Sequence, residues 1–339
     1  VSEFRTVTGF EEVWRPPVRP RPRRPEAVLS DGGAGTRARL QRLVRRAPEV
    51  MVKVTGRTRD PAHLAAHLAY ITRNGRLAAE DRDGWPVAGR REVAELARDW
   101  WAAEALAGRR RDSPVSVGLI LSMPEGTDPL ALRDAARAFA RETFADGRDY
   151  VLALHTDTPH PHVHLTVRAL ADDGRRLGVK KADLEAWRQA FARALRERRV
   201  EAEATPRRAR GVTRKPERGA IRRLRLRQAA GRAGPGTVAR AKLREAAEVA
   251  FGGTVEPTPW ERRLAERQAR IRKLYLAQAK LLQASAEGAD RALGREVEAF
   301  VRSLPLPDTE RLALARALRE ANDRVREGRG RGRSGRDRS

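Results

Sequence analysis

The chain has no cysteine among its 339 residues. Disulfides and thiolate metal sites are therefore excluded. Aromatic residues make up only 5%, so a well-packed core is expected over part of the chain rather than all of it. No apolar run reaches the roughly 18 residues of a membrane-spanning helix. The Pro- and Arg-rich start has no apolar signal core, which argues against secretion. A P-loop signature (G-x-x-x-x-G-K followed by Ser or Thr) is also missing, so no nucleotide-driven motor is expected. Tyrosine and histidine are scarce, at three and six. Their positions are correspondingly informative.

Positive charge is abundant. The formal net charge is +26, with 34% of residues charged. GC-rich coding inflates Arg and Ala together, but it does not exclude Glu and Asp codons and so does not account for +26. The balance points to a polyanionic partner. Together these features lead to the expectation of a soluble intracellular protein that faces nucleic acid.

The chain length allows roughly two domains. Residues 1–48 hold a Pro/Arg run and a Gly-rich stretch, and read as a disordered basic arm with a short helix near 37–46. Residues 49–205 alternate strand and helix signals. Val50 to Val54, Val115 to Ser122, Tyr150 to Leu154 and Pro161 to Leu170 read as strands. Asp60 before Pro61 starts a helix, and Asn74 before Gly75 ends it. Further helices are expected over 91–107, 128–146 and 181–199. The fold class is α+β: a central antiparallel sheet with helices packed on one face, followed by a mostly helical C-terminal region, with disordered basic termini. Residues 206–235 form a basic linker, with eleven cations against the single acid Glu217 over 205–232. Residues 236–328 are expected to be helical, and 329–339 a disordered tail.

Every histidine lies in one of two short segments. His155-Thr-Asp-Thr-Pro-His-Pro-His-Val-His164 holds four of the six. Residues i and i+2 of a strand share a face, so His162 and His164 project side by side. A return loop brings His155 beside them. Three neutral imidazoles with open positions make a catalytic rather than a structural metal site. Asp157 is expected to hold an imidazole N–H. His160 stays open between a fourth ligand, a proton relay and a DNA contact. The plainer alternative is satisfied surface chemistry or an adventitious ion site.

The other two histidines, His63 and His67, share a helix face with Tyr70 at i, i+4 and i+7. A phenol is a weak nucleophile at its free pKa near 10; a divalent metal that polarises a phosphate compensates. Tyr275 falls on an apolar helical stripe and reads as core. Tyr150 lies an odd number of residues before His155 and faces the other way. Tyr70 is left as the nucleophile candidate.

The His155–His164 motif closely resembles that of conjugative relaxases, mobilisation nucleases of the VirD/MobP type within the HUH endonuclease superfamily. The segment from His67 through Tyr70 and Arg73 to Gly75 is similar to their catalytic-tyrosine motif. Leu121-Ser-Met-Pro124 is similar to their middle motif, which implies that Ser122 contacts DNA near the cleavage site. The likeness covers about 50–215, with His160 standing where many members have Asn. Order separates relatives: replication initiators and related transposases place the His motif first, whereas Tyr70 comes 85 residues before His155 here. The resemblance implies metal-dependent nicking of one strand at a transfer origin. It implies a 5′-phosphotyrosine on Tyr70, strand rejoining, and Mg²⁺ or Mn²⁺ as cofactor, though three His also suit Zn²⁺. It further implies a bacterial cytoplasmic protein that works with auxiliary relaxosome proteins and a type IV coupling protein and passes with DNA to a recipient.

His67, Arg73, Lys180, Lys181, Arg188, Arg222, Arg223, Arg225 and Arg227 are candidate DNA contacts, and each can equally be a solvated charge. Trp85, Trp100 and Trp101 are candidate stacking platforms, whereas helical spacing places Trp187 in the core. Two other readings stay open: a hydrolase that uses activated water, and a basic nucleic-acid-binding protein whose histidine cluster is structural.

Overall fold

A computed structural model describes residues 4–14, 33–108, 112–214, 219–232, 234, 236–252 and 256–334. The chain divides into two units, one of residues 1–5 and 16–205 and the other of 6–15 and 206–339.

The first unit is built on six strands: β1 (Met51–Thr58), β2 (Ala79–Asp81), β3 (Pro86–Val87), β4 (Ser116–Ser122), β5 (Tyr150–His155) and β6 (His162–Arg168). They pair antiparallel in the order β1-β4-β6-β5-β2-β3. Its helices are α1 (Gly33–Val44), α2 (Pro61–Ile71), α3 (Gly89–Leu106), α4 (Pro129–Thr143) and α5 (Lys181–Arg196). Period-two alternation sorts the central strands. Val163, Leu165 and Val167 of β6 join Leu119 and Leu121 of β4 on one face. That face takes Leu132, Ala136 and Phe139 of α4 and Trp187, Phe191 and Leu195 of α5. Edge-to-face pairs lock the layer, with Phe139 and Phe191 rings 5.9 Å apart and Phe144 and Trp187 5.6 Å apart. Truncating a buried ring such as Phe139 to Ala costs about 3–5 kcal/mol by precedent.

The antiparallel α+β architecture is the expected one, but the helices cover both faces of the sheet, not one. Leu64, Leu68 and Ile71 of α2 and Val93, Ala97 and Trp100 of α3 pack with Val115, Val151 and Ala153 on the second face. Both helices carry apolar stripes that must be buried somewhere, and the small side chains of β5 give them a seat. The hairpin β2–β3 is too short and polar to show a strand period, and Trp85 at its turn is exposed.

The second unit comprises α6 (Gly219–Ala229), α7 (Thr237–Phe251), α8 (Pro259–Gln283), α9 (Gly288–Ser303) and α10 (Glu310–Ser334). Here α8 packs on α9 and α7 on α10. Gly294 allows the first of these crossings, because a Cβ there would lie 2.8 Å from the Ala279 carbonyl oxygen.

Two terminal expectations are corrected. Residues 10–13 form a 3-10 turn with Phe10 and Val13 buried, and the Phe10 ring meets Tyr275 edge-on at 5.9 Å. Residues 33–44 are helical, close to the short helix expected near 37–46, so the 3-10 turn is the described part of 1–48 that departs from the expected disordered arm. A short apolar anchor beside a Pro/Arg run is hidden in average composition. At the other end α10 continues through Ser334, past the expected start of a disordered tail. No helix among the described residues is long and apolar enough to cross a membrane.

Candidate metal and nuclease site

The β5–β6 hairpin assembles the imidazoles. His155 is the register partner of His162, and Ala153 that of His164. Ring centroids lie 5.3 Å apart for His155–His162, 4.5 Å for His155–His164 and 5.2 Å for His162–His164. One ligand nitrogen from each can be chosen so that all lie within 4.8 Å of one another. Backbone carbonyls set two tautomers: His155 Nε2–H donates to Ile71 O at 2.7 Å, and His162 Nδ1–H to His160 O at 3.1 Å. The opposite nitrogen of each ring keeps its lone pair.

Burial, followed by the neighbouring His155 and His162, pushes His164 down to about 3. His155 is also lowered, chiefly by burial and against the Ile71 hydrogen bond. Neutral imidazoles are the form a cation needs, so the donor set fits a divalent ion. One neighbour competes. Arg73 lies 3.4 Å from His155 Nδ1, and a cation and a guanidinium exclude each other there. The Arg73 ion pair with Asp157, at 2.6 Å, is half exposed on both sides and free to rearrange.

Tyr70 stands at the edge of this cluster. Asp60 caps α2 by accepting from the His63 N–H at 2.7 Å, and Pro61 fills the first turn. The buried stripe Leu64, Leu68 and Ile71 then fixes the helix rotation. Tyr70 is left 67% exposed, its ring edge-on to His164 at 5.8 Å. Ala69, Tyr70, Arg73, Asn74, His155 and Asp157 all line one open cleft of about 400 Å³.

The turn after α2 is unusual. Arg73, Asn74 and Gly75 all have positive φ, at 51°, 57° and 77°. This left-handed run carries Arg73 back over Asp157. A Cβ on Gly75 would sit 2.4 Å from the Gly89 backbone, whereas one on Gly174, at a similar φ of 78°, meets nothing within 4 Å. Gly75→Ala is therefore expected to destabilise the first unit by roughly 2–4 kcal/mol, and Gly174→Ala by only about 1–2 kcal/mol. Urea unfolding of the two variants checks the difference.

Several expected roles change. Asp157 holds Arg73 and lies 3.9 Å from His155 Nδ1; the carbonyls of Ile71 and His160 orient the imidazoles instead. The Arg73 hydrogen bond holds the Asp157 carboxyl below its usual range. His160 is outside the three-ring cluster, and its Nδ1 accepts from the Glu125 N–H at 3.1 Å. Ser122 is buried and donates to Pro161 O at 3.2 Å, which ties β4 to the loop before His162. His67 Nε2 meets Thr166 Oγ1 at 2.9 Å, and burial, then His63, lowers its pKa. It is a wedge between α2 and the sheet, with Gly118 beneath it because a Cβ there would come within 3.0 Å of the ring. Lys180, Lys181 and Arg188 belong to the start and body of α5, which covers the face opposite the imidazoles, and Arg188 contacts Glu185 at 3.3 Å. Trp100 is core, as is Trp187. Tyr275 is fully buried and donates to Ala209 O at 2.8 Å, and Tyr150 is buried on the other face.

Arg222, Arg223, Arg225 and Arg227 are exposed on α6, a helix without a carboxylate. Its Ile221, Leu224 and Leu226 are exposed as well. Lys215 and Arg218 fall outside the described residues.

Residues 70–200 match the family model for the relaxase nuclease domain described as MobA/VirD2-like. Over these residues the chain is similar to relaxase nuclease domains of the MobA/VirD2 type. Among individual proteins, the chain is similar to the T-DNA border endonuclease VirD2 of Agrobacterium fabrum (strain C58), at 29% identity over 203 residues, or 53% of this chain and 45% of that protein. The VirD2 of Rhizobium radiobacter is 30% identical over 135 residues, 35% of this chain and 31% of that one. The VirD2 of Rhizobium rhizogenes is 29% identical over 135 residues, 35% and 30%. The chain thus spans less than half the length of these relatives. A chain solved in work on the molecular basis of vancomycin resistance transfer in Staphylococcus aureus aligns at 14% identity with a TM-score of 0.34, covering 47% of this chain and 99% of that one.

Proposed function

We propose that this protein is a single-tyrosine, metal-dependent DNA relaxase that nicks one strand at a transfer origin and later rejoins it. The observation that carries this reading is the exposed Tyr70 ring beside His164, in one open cleft with Arg73 and His155. Tyr70 Oη attacks the scissile phosphorus and loses its proton to solvent. The P–O3′ bond breaks, and the 3′ oxygen leaves with a proton from solvent. The 5′ phosphate stays on Tyr70, and the phosphodiester energy with it. In rejoining, a 3′-hydroxyl attacks that phosphorus, and the phenol regains its proton. His155, His162 and His164 would hold a divalent ion, Mg²⁺ or Mn²⁺ by the family's habit, which would supply Lewis-acid polarisation of the phosphate. Arg73 leaves Asp157 to hold a phosphate oxygen. The test is a denaturing-gel assay for a covalent adduct with single-stranded DNA from the gene's own neighbourhood, in Mn²⁺.

The setting proposed is mobilisation of a plasmid or integrated element in the bacterial cytoplasm. Auxiliary relaxosome proteins and a type IV coupling protein are the proposed partners, and the DNA-linked protein passes to a recipient. That the VirD2 relatives are T-DNA border endonucleases supports cleavage at a defined DNA boundary. Nothing in the cluster calls for a fourth ligand from His160.

The basic helix α6 is proposed to clamp the backbone next to the nick. Replacing Arg222, Arg223, Arg225 and Arg227 with Gln is expected to weaken all single-stranded sequences alike. The slope of log affinity against log salt should flatten by roughly 0.7 per lost contact. Fluorescence anisotropy over a salt series reads this. An unchanged slope means these arginines meet only water, and a sequence-selective loss means base readout.

A further inference from the structure

The second unit contains a separate cationic cleft. It has a volume of about 360 Å³ and is lined by Arg208, Arg263, Arg267 and Arg270, with Glu12 and Glu266. Arg263, Arg267 and Arg270 fall at i, i+4 and i+7 of α8, so their side chains rise from one face at one-turn intervals. Arg270 meets Glu12 at 3.3 Å. Arg263 and Arg267 are exposed and have no ion-pair partner among the described residues. Four guanidiniums thus face two carboxylates, of which Glu12 is ion-paired with Arg270.

The floor of this cleft is rigid. Arg208 sits in the 3-10 turn Arg207–Arg210, and its guanidinium donates to the Glu12 carbonyl at 3.1 Å. Gln268 donates to Arg208 O at 3.3 Å, and buried Tyr275 to Ala209 O at 2.8 Å. Phe10, two residues before Glu12, packs edge-on against that same Tyr275. The cleft is therefore held by a buried aromatic cluster. A planar guanidinium fork suits phosphate oxygens, and a ladder of forks one turn apart suits a chain of phosphates better than a single anion.

We propose that this cleft is a second strand-binding site, in which Arg263 and Arg267, supported by Arg208 and Arg270, grip consecutive phosphates of single-stranded nucleic acid. The proposal does not depend on the Tyr70 chemistry, so it survives if no covalent adduct forms.

The test uses the full-length chain in EDTA, which keeps cleavage out of the measurement, and a labelled oligothymidylate over a salt series. Arg263→Gln/Arg267→Gln is expected to flatten the log–log salt slope by roughly 1.4, two contacts at about 0.7 each. A matched control, Arg244→Gln/Arg295→Gln, removes the same charge from exposed positions elsewhere in the unit and is expected to leave the slope nearly unchanged. An equal loss in both doubles overturns the proposal in favour of bulk charge. No loss in the first double overturns it outright. If instead sodium phosphate alone raises the melting temperature of the wild type but not of Arg263→Gln/Arg267→Gln, with the DNA slope unmoved, the cleft takes free phosphate and the strand site is wrong.

Discussion

Tyr70→Phe is expected to abolish the covalent protein–DNA adduct while leaving single-strand affinity within about twofold, since a lone exposed hydroxyl contributes little to a contact that phosphates dominate. The substitution removes one oxygen. The ring that meets His164 at 5.8 Å is kept, as are Leu64, Leu68 and Ile71 beneath α2. The cleft therefore keeps its shape and loses only the proposed nucleophile. No other tyrosine can take over without unfolding, because Tyr150 is 4% exposed and Tyr275 0%. An adduct that persists in Tyr70→Phe sinks the assignment. Nicking that persists without an adduct turns the reading toward hydrolysis by an activated water on the same imidazoles.

The second large effect concerns the imidazoles. His162→Ala removes one of three converging donors, and neither Asp157 nor His160 is placed to replace it. Cleavage in Mn²⁺ is expected to fall by more than the roughly 10–100-fold that follows loss of a group which only orients a ligand. Asp157→Ala is expected within that smaller range, acting through Arg73, whose ion pair it holds at 2.6 Å. Isothermal titration with Mn²⁺ separates the two: His162→Ala should lose measurable binding, and Asp157→Ala should keep most of it. Normal cleavage by His162→Ala with EDTA present would falsify the metal mechanism.

Much of the site was legible because strand alternation and hairpin return are local rules. Spacing alone put His162 and His164 on one face, and the register pair His155–His162 closed the triangle. Tyr70 stands out as the nucleophile candidate through the scarcity of tyrosine and its helix face. What could not be read were partners supplied by the backbone. The carbonyls of Ile71 and His160 have no side-chain signature, so orientation of the imidazoles was assigned to Asp157. Arg73 reaches Asp157 through a left-handed turn that only Gly75 announces. Thr166 on the imidazole face was visible, yet nothing local showed that it would take His67. The helices Pro61–Ile71 and Gly89–Leu106 match expected ones, but their place on the second face was not legible, because burial there depends on Val115, Val151 and Ala153 coming together across the sheet. Phe10 was lost in a basic N-terminal context, since a single buried ring does not alter average composition.

The central claim is that Tyr70 carries the DNA. Its most direct measurement is mass spectrometry of the nuclease-digested, protease-cleaved adduct formed with single-stranded DNA in Mn²⁺. The expected result is a phosphonucleotide on the peptide containing Tyr70, bonded through the 5′ phosphate, and no modification on the peptides of Tyr150 or Tyr275. A nucleotide on any other residue, or cleaved DNA with free 5′ phosphate and unmodified Tyr70 throughout the reaction, contradicts it.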